Sequence, residues 1–116
     1  MANARSSCTA WVGNNVDAAL SIQPVVHYVL RYETIADYVT QRQPYREMHL
    51  ALASSAASRG ELVLGGAFDD PSGGAMLVFR GDSPEAAERF AQSDPYVLNG
   101  LVTRWTVQKW NVVIGD

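Results

Sequence analysis

The sequence predicts an α+β fold of the ferredoxin-like kind, in the order β-α-β-β-α-β around a four-stranded antiparallel sheet. Three observations carry that prediction. Val26 to Tyr32 alternates aromatic and β-branched residues as a strand does. Two later stretches have helical spacing, and each opens at a proline (Pro44 and Pro84). Between them, two apolar runs are separated only by Asp69-Asp70-Pro71-Ser72-Gly73-Gly74, a turn-dense link short enough to require a hairpin.

Taken in order, the first strand places Val26, Tyr28, Leu30 and Tyr32 on one face. Glu33 to Arg42 reads as a loop with a helical turn. The first helix runs from Tyr45 to about Arg59 and stops at Gly60. Its apolar face is read as Tyr45, Met48, Leu52 and Ala56, with His49 among them. Glu61 to Phe68 is the second strand, with a bulge expected at Gly65-Gly66. Ala75 to Arg80 is the third. Ser83 is a candidate N-cap, Pro84 the first helical residue, and Glu85 an acid suited to the first turn of a helix ending near Ser93. Asp94-Pro95-Tyr96 begins an irregular connection, and Leu101 to Ile114 holds a long fourth strand.

With 116 residues the chain is one domain's worth of sequence. Residues 1–24 differ from the rest, rich in Ser, Ala and Asn without a sustained period, and are expected to be a weakly ordered extension outside the domain at 25–116. They lack the compact apolar segment of a secretory signal, while organellar targeting stays open. A net charge of −3 with scattered basic residues argues against nucleic acid as a partner. No apolar run approaches the ~20 residues of a membrane span. The single cysteine, Cys8, excludes an internal disulfide, which fits a reducing cytoplasm. His27 and His49 are the only histidines, and no metal-ligand spacing is visible, so no metal or cofactor is expected.

Only 18% of the residues are charged, little for the whole surface of a monomer of this size. The third strand is apolar on both faces, with Ala75, Leu77 and Phe79 on one and Met76 and Val78 on the other; the fourth sets Trp105 and Trp110 on opposite faces. Helices cover one face of such a sheet. The other, left apolar, is expected to pack against a second copy, closing a barrel-like core.

Arg46-Glu47-Met48-His49-Leu50, Gly60 to Gly66, Gly74 to Phe79, Ser93-Asp94-Pro95-Tyr96 and the Trp-containing last strand together resemble the YciI-related (YCII domain) proteins of the dimeric α+β barrel superfamily. The resemblance extends from Val26 to about Gly115. It departs from the family at Tyr96, where a phenylalanine is usual, and in the 1–24 leader. The resemblance implies an active site made of His49 and Asp94. Related dimeric barrels include lactone isomerases, monooxygenases without cofactor, and enzymes that eliminate halide from hydroxylated rings.

Read from the residues alone, His49 on an apolar helix face is either a core histidine with its hydrogen bonds met or a base. An aspartate on one ring nitrogen fixes the tautomer and raises the basicity of the other. Asp94 before Pro95 is equally a turn device capping backbone amides; one of its oxygens could cap while the other holds His49. Arg46, one turn before His49, is a candidate for binding substrate charge or a solvated surface arginine. Gly66 could bring backbone close to a ligand. Tyr28 and Tyr96 are candidate walls, Ser93 a candidate donor, and each has an ordinary packing or turn alternative. The reading is therefore a small cofactor-independent isomerase or lyase using a His49–Asp94 dyad on a small polar or aromatic substrate. Its rival is a non-catalytic dimeric module that binds a metabolite or a partner protein.

Overall fold

A computed structural model describes residues 26–70 and 73–115. The 1–24 extension and Pro71 and Ser72 of the hairpin turn lie outside the described residues. Strand β1 spans His27–Thr34, followed by a short helix α1, Tyr38–Gln41, and a 3-10 turn at Gln43–Tyr45 that contains Pro44. Helix α2 is Arg46–Ser58, β2 Leu62–Ala67, β3 Ala75–Arg80, α3 Glu85–Ser93, α4 Pro95–Leu98 and β4 Val102–Trp110. The strands form one antiparallel sheet in the order β2-β3-β1-β4, the ferredoxin-like arrangement.

The helices cover one face, over a core that includes Leu30, Tyr32, Leu77, Phe79, Phe90 and Tyr96. Pairing sets which residues share that face: Tyr32 lies opposite Ala75 on β3 and Trp105 on β4. Trp105 is partly buried against the core, whereas Trp110, opposite His27, lies on the other face. That open face is mixed, not apolar throughout as expected. Val29, Met76 and Val78 make an apolar half, while Arg31, Glu33, Arg104, Thr106 and Gln108 make a polar half with an Arg104–Glu33 ion pair.

Four local expectations need correction. Helix α2 turns Tyr45, His49, Leu52, Ala53 and Ala56 inward, a 4-3-1-3 spacing, so Met48 points out and is 62% exposed. Pro84 stands just before α3, not as its first residue, although Ser83 Oγ still accepts from the Glu85 N–H. The β2 bulge falls between Leu62 and Leu64, not at the glycine pair, which stays in register opposite Leu77 and Met76. Gly65 is there for room: a β-carbon would press to 3.1 Å from the Leu77 side chain. Asp94-Pro95-Tyr96, expected to be irregular, opens α4.

Two glycines carry backbone that other residues resist. Gly60 closes α2 at φ 79°, its N–H bonding Ala57 O while the Glu61 N–H bonds Ala56 O. Gly74, φ 75°, leads into β3 so close to β1 that any β-carbon would collide with the Tyr32 carbonyl oxygen. Gly60→Ala is expected to cost about 1 kcal/mol, the left-handed penalty alone. Gly74→Ala adds a backbone collision and should cost at least about 2 kcal/mol more. Urea unfolding of the two variants checks the difference; equal losses would mean that the β1–β3 approach is not constraining.

Candidate active site

Proline fixes the local geometry from which the site grows. Pro95 disfavours helical backbone at the residue before it, so Asp94 is extended (φ −70°, ψ 123°) and α3 must end there. Pro95 is also the first residue of α4, where its missing N–H costs nothing. Asp94 thus ends one helix and caps the next, its Oδ1 accepting the Tyr96 N–H at 3.0 Å.

The Asp94 side chain has no exposure to solvent, so its oxygens need donors from the protein. Three converge. Beyond the Tyr96 amide, Tyr32 Oη of β1 donates to Oδ2 at 2.7 Å, and His49 Nδ1 of α2 lies 2.8 Å from Oδ1. A carboxylate only accepts, so Nδ1 carries the hydrogen, and in the neutral imidazole Nε2 keeps its lone pair. Both anticipated roles of Asp94 therefore coexist on a single oxygen, Oδ1, because Tyr32 takes the other.

Rings hold the imidazole in place. His49 stacks on Tyr96 at 3.9 Å between centroids and 10° between planes, and Phe90 meets it edge-on with centroids 6.1 Å apart. Tyr38 meets Tyr96 edge-on at 5.6 Å. The His49 side chain is 15% exposed, and its Nε2 has no hydrogen-bond partner among the described residues. Beside it lies a cavity of about 350 Å3, bordered by Tyr32, Tyr38, Arg42, Arg46, Tyr96 and the backbone of Gly65 and Gly66.

The structure thus brings His49, Asp94, Arg46, Gly66 and Tyr96 together. Two other candidates lie apart. Ser93 is exposed and borders a separate depression with Arg59 and Phe90, because α3 turns it away from Asp94's side. Tyr28 shares the face of Tyr32 but sits a full strand repeat beyond Leu30, opposite Phe79 and Lys109, and does not border the cavity. His27 is buried on the open face, with Nδ1 unpartnered. Sequence reasoning missed Tyr32, Tyr38 and Arg42. Only Tyr32 gave a usable signal, a tyrosine on the core face of a strand, which must find a partner for its hydroxyl. Among the described residues no cluster of three or more His, Cys, Asp or Glu comes together to hold a metal, and no helix is long and apolar enough to cross a membrane.

Tyr32, Tyr38 and Tyr96 are held in the phenol form. Burial, then the charge of Asp94 and the hydrogen bond to it, push Tyr32 far above the ordinary phenol range. Burial also raises Tyr38, against the opposing pull of Arg42. Tyr96 is likewise raised by burial, with Arg46 and Arg42 working the other way.

The model of the YCII-related domain family matches residues 26–111. Among solved structures, 5-chloro-2-hydroxyhydroquinone dehydrochlorinase from Burkholderia phenoliruptrix, in complex with 2,5-dihydroxybenzoquinone, aligns with a TM-score of 0.60 at 19% identity, over 73% of this chain and 93% of that one. A protein from Agrobacterium tumefaciens aligns at 0.51 with 15% identity, over 76% and 93%. A NIPSNAP family protein from the same organism aligns at 0.50 with 13% identity, over 77% and 92%. At these identities the likeness is one of fold. No curated protein matches the sequence.

The raised Tyr32 pKa fixes a sign for alkaline stability. Below the unfolded phenol value near 10, both states hold the proton and this group adds no pH dependence. Above it the unfolded chain releases a proton that the folded chain keeps, so stability falls as pH rises, by up to about 1.4 kcal/mol per pH unit. Denaturant unfolding across that range should show a steeper decline for the wild type than for Tyr32→Phe. Parallel declines would contradict the buried, proton-retaining role.

Proposed function

The chain belongs to the YCII-related domain family, and we propose that it is a small enzyme in which His49, oriented by Asp94, removes a proton from a small polar or aromatic substrate. The observation that carries this reading is the pairing of a bonded Nδ1 with a partnerless Nε2 beside an open cavity. A histidine kept only for the fold would have both nitrogens satisfied. An imidazole held by a carboxylate acts as a general base near neutral pH.

The chemistry that follows is isomerisation or elimination. Nε2 takes a proton from a substrate O–H or C–H, and the freed electron pair forms a new double bond. In isomerisation the imidazolium returns the proton to another atom. In elimination the same electron shift expels a leaving group as its anion, and HX is lost overall. Dehydrochlorination, the activity named for the Burkholderia structure, is an elimination of this type, and the proposal carries that reaction class to this chain without its substrate. Arg46 borders the cavity one helical turn from His49, where it orients substrate charge.

The working unit is proposed to be a homodimer joined through the open sheet face. Support comes from its apolar half, where Val29, Met76 and Trp110 border a depression of about 510 Å3, with Trp110 47% exposed. Sedimentation should give twice the mass of the chain, and Trp110→Glu should shift it toward the monomer. A wild-type protein that stays monomeric at high concentration would end this part of the proposal.

A panel of enolisable and hydroxylated ring compounds, chlorinated ones included, can be screened for deuterium wash-in and chloride release. With any active compound, His49→Ala should lower the rate by about 10²–10⁴. Asp94→Asn should also lower it, through loss of the tautomer. Unchanged turnover in His49→Ala would refute the base.

A further inference from the structure

Arg42 and Arg46 stand on successive turns of the chain entering α2, and both border the His49 cavity. Among the described residues no Asp or Glu borders it; Asp94 is sealed behind His49 and Tyr32 with its oxygens occupied. Neither arginine has an ion-pair partner among the described residues. Arg42 is held with its guanidinium carbon 5.1 Å above the Tyr38 ring, a cation–π contact that orients the group without neutralising it. Its Nε is buried and unpartnered.

A second orphan lies in the same place. Tyr96 is 1% exposed, and its hydroxyl makes no well-formed hydrogen bond, with Arg46 as the side-chain donor that acts on it. Arg42 and Arg46 border the same cavity as Tyr96, and both pull its phenol down against the push of burial, Arg46 foremost. A buried, unmatched guanidinium nitrogen and phenol beside two half-buried cations are completed by an acceptor that enters the cavity.

We infer that the pocket formed by Arg42, Arg46 and the Tyr96 hydroxyl is an anion subsite, so that the substrate is a one-ring or similarly small molecule bound as a carboxylate or phenolate. It rests on the reading of this cavity as a substrate site, and it adds the substrate's charge. The volume of about 350 Å3 lies at the small end of ligand pockets and suits one ring. Placing the anion at the arginines leaves the far edge of that ring toward His49 Nε2. Negative charge that develops when the base takes its proton can then spread to an oxygen already facing two guanidinium groups.

The test uses the intact protein and two probes of nearly the same shape, 2-hydroxybenzoate and the uncharged 2-hydroxybenzamide, titrated by calorimetry. The benzoate should bind at least about 10-fold tighter, the worth of a charged hydrogen bond. Arg42→Gln should abolish most of that preference, and Arg42→Lys, which keeps the charge, should retain part of it. Equal affinity for the two probes, absence of benzoate binding, or an unaltered preference in Arg42→Gln overturns the subsite. His49→Asn separates the two readings. It should keep the preference, and its loss there would mean that the imidazolium holds the anion. Unchanged turnover in the same variant would instead sink the base while leaving the subsite standing.

Discussion

A buried carboxylate cannot be left without donors, and satisfying Asp94 organises this molecule. Its three hydrogen bonds reach β1, α2 and the first turn of α4, elements far apart in the chain. An ion of this kind costs several kcal/mol to desolvate, and only full pairing offsets it. The register of β1, the rotation of α2 and the start of α4 are thus tied to one another through two oxygen atoms. The same bonds that hold the fold also leave His49 with a single free nitrogen.

Much of this was legible in the sequence because it was local. Gly60 after a helical pattern and proline at helix starts are short-range signals that need no knowledge of the partner element. The element order follows from them, and with it the ferredoxin-like sheet. Asp94-Pro95 announced a turn, and a polar His49 in an apolar stripe announced a partner.

What escaped depended on partners far along the chain. Alternation says that Tyr32 faces the core, but not that it meets Asp94, 62 positions away. Arg42 lies in a stretch that read as loop, so nothing placed it on the same stripe as Arg46 and His49. The bulge position in β2 is set by how Leu62 and Leu64 align with β3, and the glycine pair drew attention to the wrong residues. Met48 was misplaced because residues 45, 49 and 52 leave the centre of an apolar face ambiguous until the sheet beneath it is known. The open face read as apolar from β3 alone, whereas β4 supplies Arg104, Thr106 and Gln108 to it.

The single oxygen that both caps α4 and holds the imidazole has a consequence for how relatives of this chain are compared. Selection for folding alone would preserve Asp94, and with it an ordered histidine, long after any chemistry had been lost. If the proposed chemistry holds, the dyad is therefore a poor marker of retained activity in a lineage. The arginines would be the better one, since among the described residues Arg42 and Arg46 form no ion pair that the fold would miss. On that reading, a relative that keeps the dyad without the arginines keeps the scaffold and not its chemistry.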